Sequence, residues 1–218
     1  MIEENVKQLL SVKTNAFNEA VTLVAATKTC SAEEINRAIA AGITDIGENK
    51  VQEFCEKYDA VHGAHRHFIG HLQTNKVKYL IGKVDLYHSV DRDELSEELA
   101  RRSLRAGITS NVLVQINIGN EESKGGYPLE EGERVCRRLS RTEGLNVMGL
   151  MAMLPRSDDE AMLASLCKKM RALFERLKAN DGNIRYLSMG MSGDWKLCLE
   201  HGANMIRLGT AIFGERHL

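Results

Sequence analysis

Lys28 closes a run of small and β-branched apolar residues, VTLVAATK, from Val21 to Lys28. A segment that is apolar on both faces is buried in the manner of a parallel strand, so its terminal lysine projects from a packed interior into a mouth. Burial disfavours the ammonium form, and an amine so placed is the nucleophile from which a Schiff base is made. Read alone, a lysine at a strand end is a charge reaching water. Two later stretches alter that balance. SMGMSGDW puts Ser192 and Gly193 at the start of a helix, and MIRLGTAIF puts Gly209 and Thr210 at the start of a short terminal turn. Free backbone N–H groups at a helix start, with a hydroxyl beside them, bind anions. Singly, Ser192 or Thr210 is an ordinary cap. Beside Lys28 and Arg207, they suit a ligand that carries both an aldehyde and a phosphate.

Other polar clusters are less pointed. His62, His65, His67 and His71 surround the apolar segment FIG. No carboxylate shares their motif, so they read as hydrogen-bonded structural histidines, and no metal is expected. The polar, glycine-rich loop GNEESKGGYP, residues 119–128, is either a lid over the mouth or a plain solvated connection.

These residues need a frame. A helix is predicted over residues 2–17, with Ile2, Val6, Leu9, Leu10 and Phe17 on one face. A second, over 32–41, is opened by Ser31 with Glu34 three residues on, and is stopped by Gly42. A pattern then recurs: a helix, a glycine, a few polar residues, a short apolar strand. Gly42, Gly63, Gly82, Gly107, Gly144, Gly182 and Gly202 are the stops, because glycine takes the left-handed cap conformation without a Cβ penalty. Val51, Phe54, Cys55 and Tyr58 share one helical face, as do Met162, Leu163, Leu166, Met170, Leu173, Phe174 and Leu177.

Eight strands follow, at about residues 22–28, 45–49, 66–70, 85–90, 111–118, 146–153, 184–190 and 204–208, each separated from the next by a helix. Strict alternation with right-handed crossovers gives a parallel sheet covered by helices. Eight such units close most economically into a (β/α)8 TIM barrel, an α/β fold with an extra N-terminal helix, and 218 residues suffice for one domain over 1–218. A doubly wound open sheet is the alternative, weakened because no GxGxxG follows the first strand. In a barrel the working residues sit at the carboxyl ends of the strands. Those ends carry Lys28, Asn49, His71, Ser89, Asn117, Met151 to Met153, Ser188 and Arg207. The loops after strands seven and eight are the usual phosphate cradle of the fold.

Composition narrows the function classes. A formal net charge of -1 and no basic run with interleaved aromatics give no support to nucleic-acid binding. No apolar run approaches membrane-spanning length, and MIEENVKQLL lacks a signal-peptide core, so a cytoplasmic protein is expected. Cys30, Cys55, Cys136, Cys167 and Cys198 are odd in number, with no CxxC pair, which indicates neither a disulfide framework nor a zinc site. Cys55, Cys136 and Cys167 fall on helical patterns as small hydrophobes.

Over nearly its full length the chain resembles the pyridoxal phosphate homeostasis proteins, single-domain relatives of the alanine racemase N-terminal barrel. The matching segments are ATKT around Lys28, GENKVQE at 47–53, HFIGHLQTNK at 67–76, INIGNEESKGG at 116–126, GLMAM at 149–153, SMGMSGDW at 188–195 and RLGTAIFG at 207–214. Departures are modest: Thr27 stands where a serine often precedes the lysine, and HGANMIRLG replaces a glycine-serine-threonine stretch. The resemblance implies that Lys28 holds pyridoxal 5'-phosphate as a Schiff base. It implies that Ser192, Gly193, Gly209 and Thr210 bind the phosphate, that Arg207 partners the pyridine nitrogen, and that Asn49 and His71 lie near the cofactor. It further implies a monomer that carries or buffers the cofactor, with apoenzymes as recipients and no catalysed reaction. A small amino-acid racemase is the alternative. Its acids or bases would come from Lys28 and a mouth residue such as His71. The racemases supply an opposing tyrosine from a further domain. Here Tyr127 is the candidate left, since Tyr58 and Tyr79 fall on helical patterns and Tyr87 and Tyr186 inside strands. An aldolase-like barrel using Lys28 on a sugar phosphate is the third reading.

Overall fold

The computed structural model describes residues 1–121 and 124–214. Eight parallel strands close into a barrel in sequence order: β1 Thr22–Ala26, β2 Asp45–Glu48, β3 His65–Phe68, β4 Leu86–Val90, β5 Ser110–Ile116, β6 Leu145–Ala152, β7 Tyr186–Ser188 and β8 Met205–Leu208. Closure is made by β8 against β1, with Val24 opposite Arg207. The helices are α1 Ile2–Leu9, α2 Ala32–Ala40, α3 Val51–Lys57, α4 Asp93–Arg105, α5 Gly132–Leu139, α6 Glu160–Lys178, α7 Trp195–Glu200 and α8 Thr210–Phe213. The predicted barrel stands, each strand falling within a few residues of its predicted span.

Two apolar cores result from the alternation of strand side chains. Inward-facing Val24, Leu86, Leu113, Met151 and Met205 pack inside the barrel. Outward-facing residues such as Phe68, Tyr87, Val112 and Leu187 pack under the helices, against residues that include Ile35, Leu99 and Phe174. Local signals behave as expected where they are strong. Ser31 and Glu34 form a reciprocal capping box on α2. Of the seven glycine stops, Gly182 alone lacks a positive φ. Cys136 and Cys167 are buried, whereas Cys55 is half-buried.

Three expectations are corrected. The first helix ends at Leu9, and residues 10–17 do not continue it. Asn15 Oδ1 accepts hydrogen bonds from the backbone N–H groups of Phe17 and Glu19, and Thr14 bridges Ala20. Such side-chain bonding to nearby backbone competes with helix. Phe17 therefore leaves the apolar face and is 51% exposed, stacked on Arg171. Between β3 and β4 there is a 3₁₀ segment, Thr74–Tyr79, rather than an α-helix. Helix α7 begins at Trp195 with Asp194 as N-cap, so Ser192 and Gly193 lie in the turn before it.

Candidate functional site

The carboxyl ends of the strands enclose a cavity built from β1, β2, β3, β6 and the loops after β7 and β8. Its walls are Ala26, Lys28, Asn49, Ile69, Met153, Met191, Ser192, Arg207, Gly209 and Thr210. Six of the sequence-predicted residues, Lys28, Asn49, Ser192, Arg207, Gly209 and Thr210, are thus brought together. Gly193 lines the neighbouring cleft with Pro155, Arg156 and Asp194 instead. His71 stands outside the cavity wall, largely exposed, its Nδ1 3.0 Å from Asp91 Oδ2.

Lys28 is itself exposed, while Thr27 behind it is fully buried. The burial read from the strand stops one residue short of the amine, which sits at the rim. The backbone on either side of Lys28 is clamped from outside the barrel. Thr27 Oγ1 donates to Gly47 O (3.1 Å) and to Glu48 Oε1 (2.8 Å). Lys57 Nζ, from α3, donates to Thr27 O (3.0 Å), Glu48 Oε1 (2.7 Å) and Glu53 Oε2 (3.2 Å). Glu53 Oε2 accepts from Thr29 N–H at 2.7 Å and so holds Thr29 at φ +61°. Burial works to raise the Glu53 carboxyl, but the bonds from Thr29 and Lys57 outweigh it and hold it below the ordinary value. Sequence reasoning missed Glu48, Glu53 and Lys57. Only the Glu53–Lys57 spacing of four on a helix signalled a pair.

Asn49 reaches the cavity because β2 and β3 end in close contact. A Cβ on Gly70 would lie 2.1 Å from Asn49 O, so only glycine allows that approach. On the opposite wall, Met191 N–H donates to Asp194 Oδ1 (2.6 Å), and Asp194 and Trp195 N–H groups both return to Met191 O. This closed turn presents Ser192 to the cavity. At α8 the Ile212 and Phe213 N–H groups bond to Gly209 O. The Thr210 and Ala211 amides have no intrahelical acceptor, as in the first turn of any helix.

Arg207 is buried, at 5% exposure. Its Nη1 donates to Ser188 O (3.0 Å) and Ser188 Oγ, and Nη2 donates to Ala152 O (3.1 Å). Three of the five N–H groups are so engaged, which leaves two for a ligand. Burial lowers its pKa to about 10, with the nearby Cys198 and Asp194 opposing that shift, so it stays cationic at neutral pH.

The loop after β5 is anchored. Tyr127 pairs with Ile116, Gln115 Nε2 donates to Gly125 O (2.7 Å), and Asn117 Nδ2 donates to the carbonyls of Glu121 and Lys124. Tyr127 is itself buried, and its hydroxyl donates to Asp93 Oδ1 at 2.7 Å. Burial and that carboxylate raise its pKa, so it is not the free base that the racemase alternative requires. Glu122 and Ser123 of the loop lie outside the described residues. Among the described residues, no cluster of three or more His, Cys, Asp or Glu is arranged to hold a metal ion, and no helix is long and apolar enough to cross a membrane.

The family model described as alanine racemase, N-terminal domain, matches residues 1–217. The chain belongs to this alanine racemase N-terminal domain family. Within it, the chain is 40% identical over 197 residues to the pyridoxal phosphate homeostasis protein of Aquifex aeolicus, covering 89% of this chain and 86% of that protein. Identity to the protein of the same name from Escherichia coli K12 is 36% over 203 residues, covering 91% and 87%. Among solved structures, PipY of Synechococcus elongatus with PLP bound superposes with a TM-score of 0.85 at 30% identity, covering 98% of this chain and 100% of that one. An alanine racemase from Clostridium difficile shares the fold, with a TM-score of 0.78 at 16% identity, and this family member spans 56% of its length.

Proposed function

We propose that this chain binds pyridoxal 5'-phosphate on Lys28 and carries or buffers it for cofactor-dependent apoenzymes. The observation that carries the reading is the meeting, in one cavity, of an amine and a buried guanidinium with free donors, alongside the serine and amide donors around Thr210. The donor set suits the group. Lys28 can condense with an aldehyde, forming a C=N bond and releasing water. Ser192, Thr210 and the first amides of α8 would hold the phosphate, and Arg207 would donate to the ring nitrogen. Asn49 lies beside them, while His71 and Gly193 stand outside that cavity. The names of the curated relatives and the PLP-bound PipY support the same ligand.

Bound here, the cofactor supplies an aldehyde and an electron-withdrawing ring. Arg207 surrenders no proton at neutral pH, so the ring nitrogen stays unprotonated and the ring remains a weak sink for carbanions. Tyr127 is committed to Asp93. The residues therefore favour retention over turnover, in a single domain across 1–218 that works as a cytoplasmic monomer.

The test is borohydride reduction of the loaded protein followed by peptide mapping. The adduct is expected on Lys28 and should vanish, with the visible absorption band, in Lys28→Ala. An adduct on Lys76, Lys83 or Lys124 instead would sink the assignment.

A further inference from the structure

A line of buried polar side chains crosses the barrel interior and ends on Arg207. Asp45, the first residue of β2, has Oδ1 3.0 Å from His67 Nε2. His67 Nδ1 on β3 lies 2.8 Å from His88 Nε2 on β4. His88 Nδ1 faces Ser188 Oγ, 3.3 Å away across the barrel on β7. Ser188 Oγ in turn accepts from Arg207 Nη1 on β8. His67, His88, Ser188 and Arg207 are all 5% exposed or less. Buried polar groups are costly unless paired, and a half-paired network is worse than an apolar one. Five strands of the barrel contribute one member each.

One direction of donation satisfies every member of this line. Arg207 has donors only, so Ser188 Oγ accepts from it and has its own hydrogen left to give. In that direction the hydrogen goes to His88 Nδ1, which is bare. His88 then carries its proton on Nε2 and donates to His67 Nδ1. His67 donates from Nε2 to Asp45. Burial above all drives the His88 pKa well down, in accord with a neutral ring. Burial works to raise the Asp45 carboxyl, but the bonds from His67 and Thr44 prevail and hold it below its ordinary value, in accord with a terminal acceptor. Along this direction the line runs from a fixed cation to a fixed anion through two imidazoles, each donating from Nε2.

We propose that Asp45, His67, His88 and Ser188 are positioning residues, a one-way hydrogen-bond relay that fixes which guanidinium N–H groups of Arg207 face the cofactor ring nitrogen. The Ser188 and Ala152 carbonyls bind Arg207 as well, but carbonyls accept from any rotamer that reaches them. Ser188 Oγ, with its hydrogen committed to His88, cannot rotate, so its lone pairs keep one orientation. The relay rests on the ligand reading above.

The experiment uses the full chain loaded with pyridoxal 5'-phosphate labelled with nitrogen-15 in the ring, and reads the ring-nitrogen chemical shift. Ser188→Ala and His88→Phe are expected to move that resonance from the value of a guanidinium-bonded nitrogen toward that of a pyridine in water. His88→Gln, which keeps one donor and one acceptor, should restore it. The borohydride adduct on Lys28 should remain in all three variants, because Lys28 lies outside the relay. An unchanged resonance in loaded Ser188→Ala and His88→Phe overturns the relay and leaves the ligand reading intact. Failure of the wild-type chain to load the cofactor overturns the ligand reading.

The histidines can also be read without cofactor. Nitrogen-15 spectra should give both His67 and His88 as Nε2–H tautomers, and Asp45→Asn, at the accessible end of the line, should perturb the signals of both rings. An Nδ1–H tautomer at His88 overturns the relay even if the core variants fail to fold.

Discussion

At the scale of single residues, the cavity separates the groups proposed to hold a phosphate from groups that shape the wall. Ser192 is presented by the turn that Asp194 closes, and Thr210 opens α8. Ser192→Ala and Thr210→Ala should each weaken pyridoxal 5'-phosphate binding by about 1.5 to 3 kcal/mol, the usual cost of a lost hydrogen bond to a charged group. Binding of pyridoxal, which lacks the phosphate ester, should be nearly unaffected. Titration of both ligands against each variant checks this. Equal losses for the two would mean that the hydroxyls act through the fold. The clamp on residues 27–29 belongs to the same scale. Lys57, Glu48 and Glu53 set the path of the chain on both sides of Lys28 from behind the barrel wall, without touching the cavity.

At the scale of elements, the segment between α1 and β1 is fastened by one acidic residue. Glu19 accepts from Arg171 on α6, from Lys178 (2.7 Å) at the end of that helix and from Asn15 Nδ2 (3.1 Å). Arg171 also donates to Gly202 O (2.8 Å), which joins the α7–β8 connection to the same post. Burial would raise the Glu19 carboxyl, but the bonds from Arg171, Lys178 and Asn15 dominate and hold it at about 2. The folded value is depressed below the unfolded one. The stability it contributes is therefore present above pH ~4.5 and is lost as pH falls toward ~2. Glu19→Gln leaves the Arg171 guanidinium with less compensation in a largely buried place and should cost about 3 kcal/mol at neutral pH. It should also remove the corresponding step in stability between pH ~4.5 and ~2. Denaturant melts of both proteins across that range test this, and parallel pH curves would refute it.

At the scale of the whole molecule, the question is carrier against catalyst. Inverting an amino acid needs a carbanion sink and a proton donor on each face of the α-carbon. With Arg207 at the ring nitrogen, as proposed, the sink is weak; Lys28 could serve one face, and the Tyr127 hydroxyl is bonded to Asp93. Incubation with L-alanine in deuterium oxide should give little α-deuteration and little D-alanine. Rates near the enzymatic median of about 10 per second, abolished by Tyr127→Phe, would favour the racemase reading.

The sequence by itself determined what local chemistry and periodicity encode. The apolar run before Lys28, the glycine after nearly every helix and the 3.6-residue stripe of α6 were enough to yield eight strands in order, and hence the barrel. The strand ends and the loops after strands seven and eight then named six of the residues that surround one cavity. Residues 10–17 were misread because their apolar spacing hid the bonding of Asn15 to backbone two and four residues on. Only tertiary structure decided the exposure of Lys28, the seclusion of Tyr127 and the distance of His71 from the cavity, since each depends on a partner from another strand or loop. The line from Asp45 to Arg207 is the clearest case. Its members are separated by up to 100 residues between neighbours, and each is an unremarkable polar residue in its own strand. They meet because a closed barrel brings strands four and seven face to face across an interior where no polar group stays unpaired without cost.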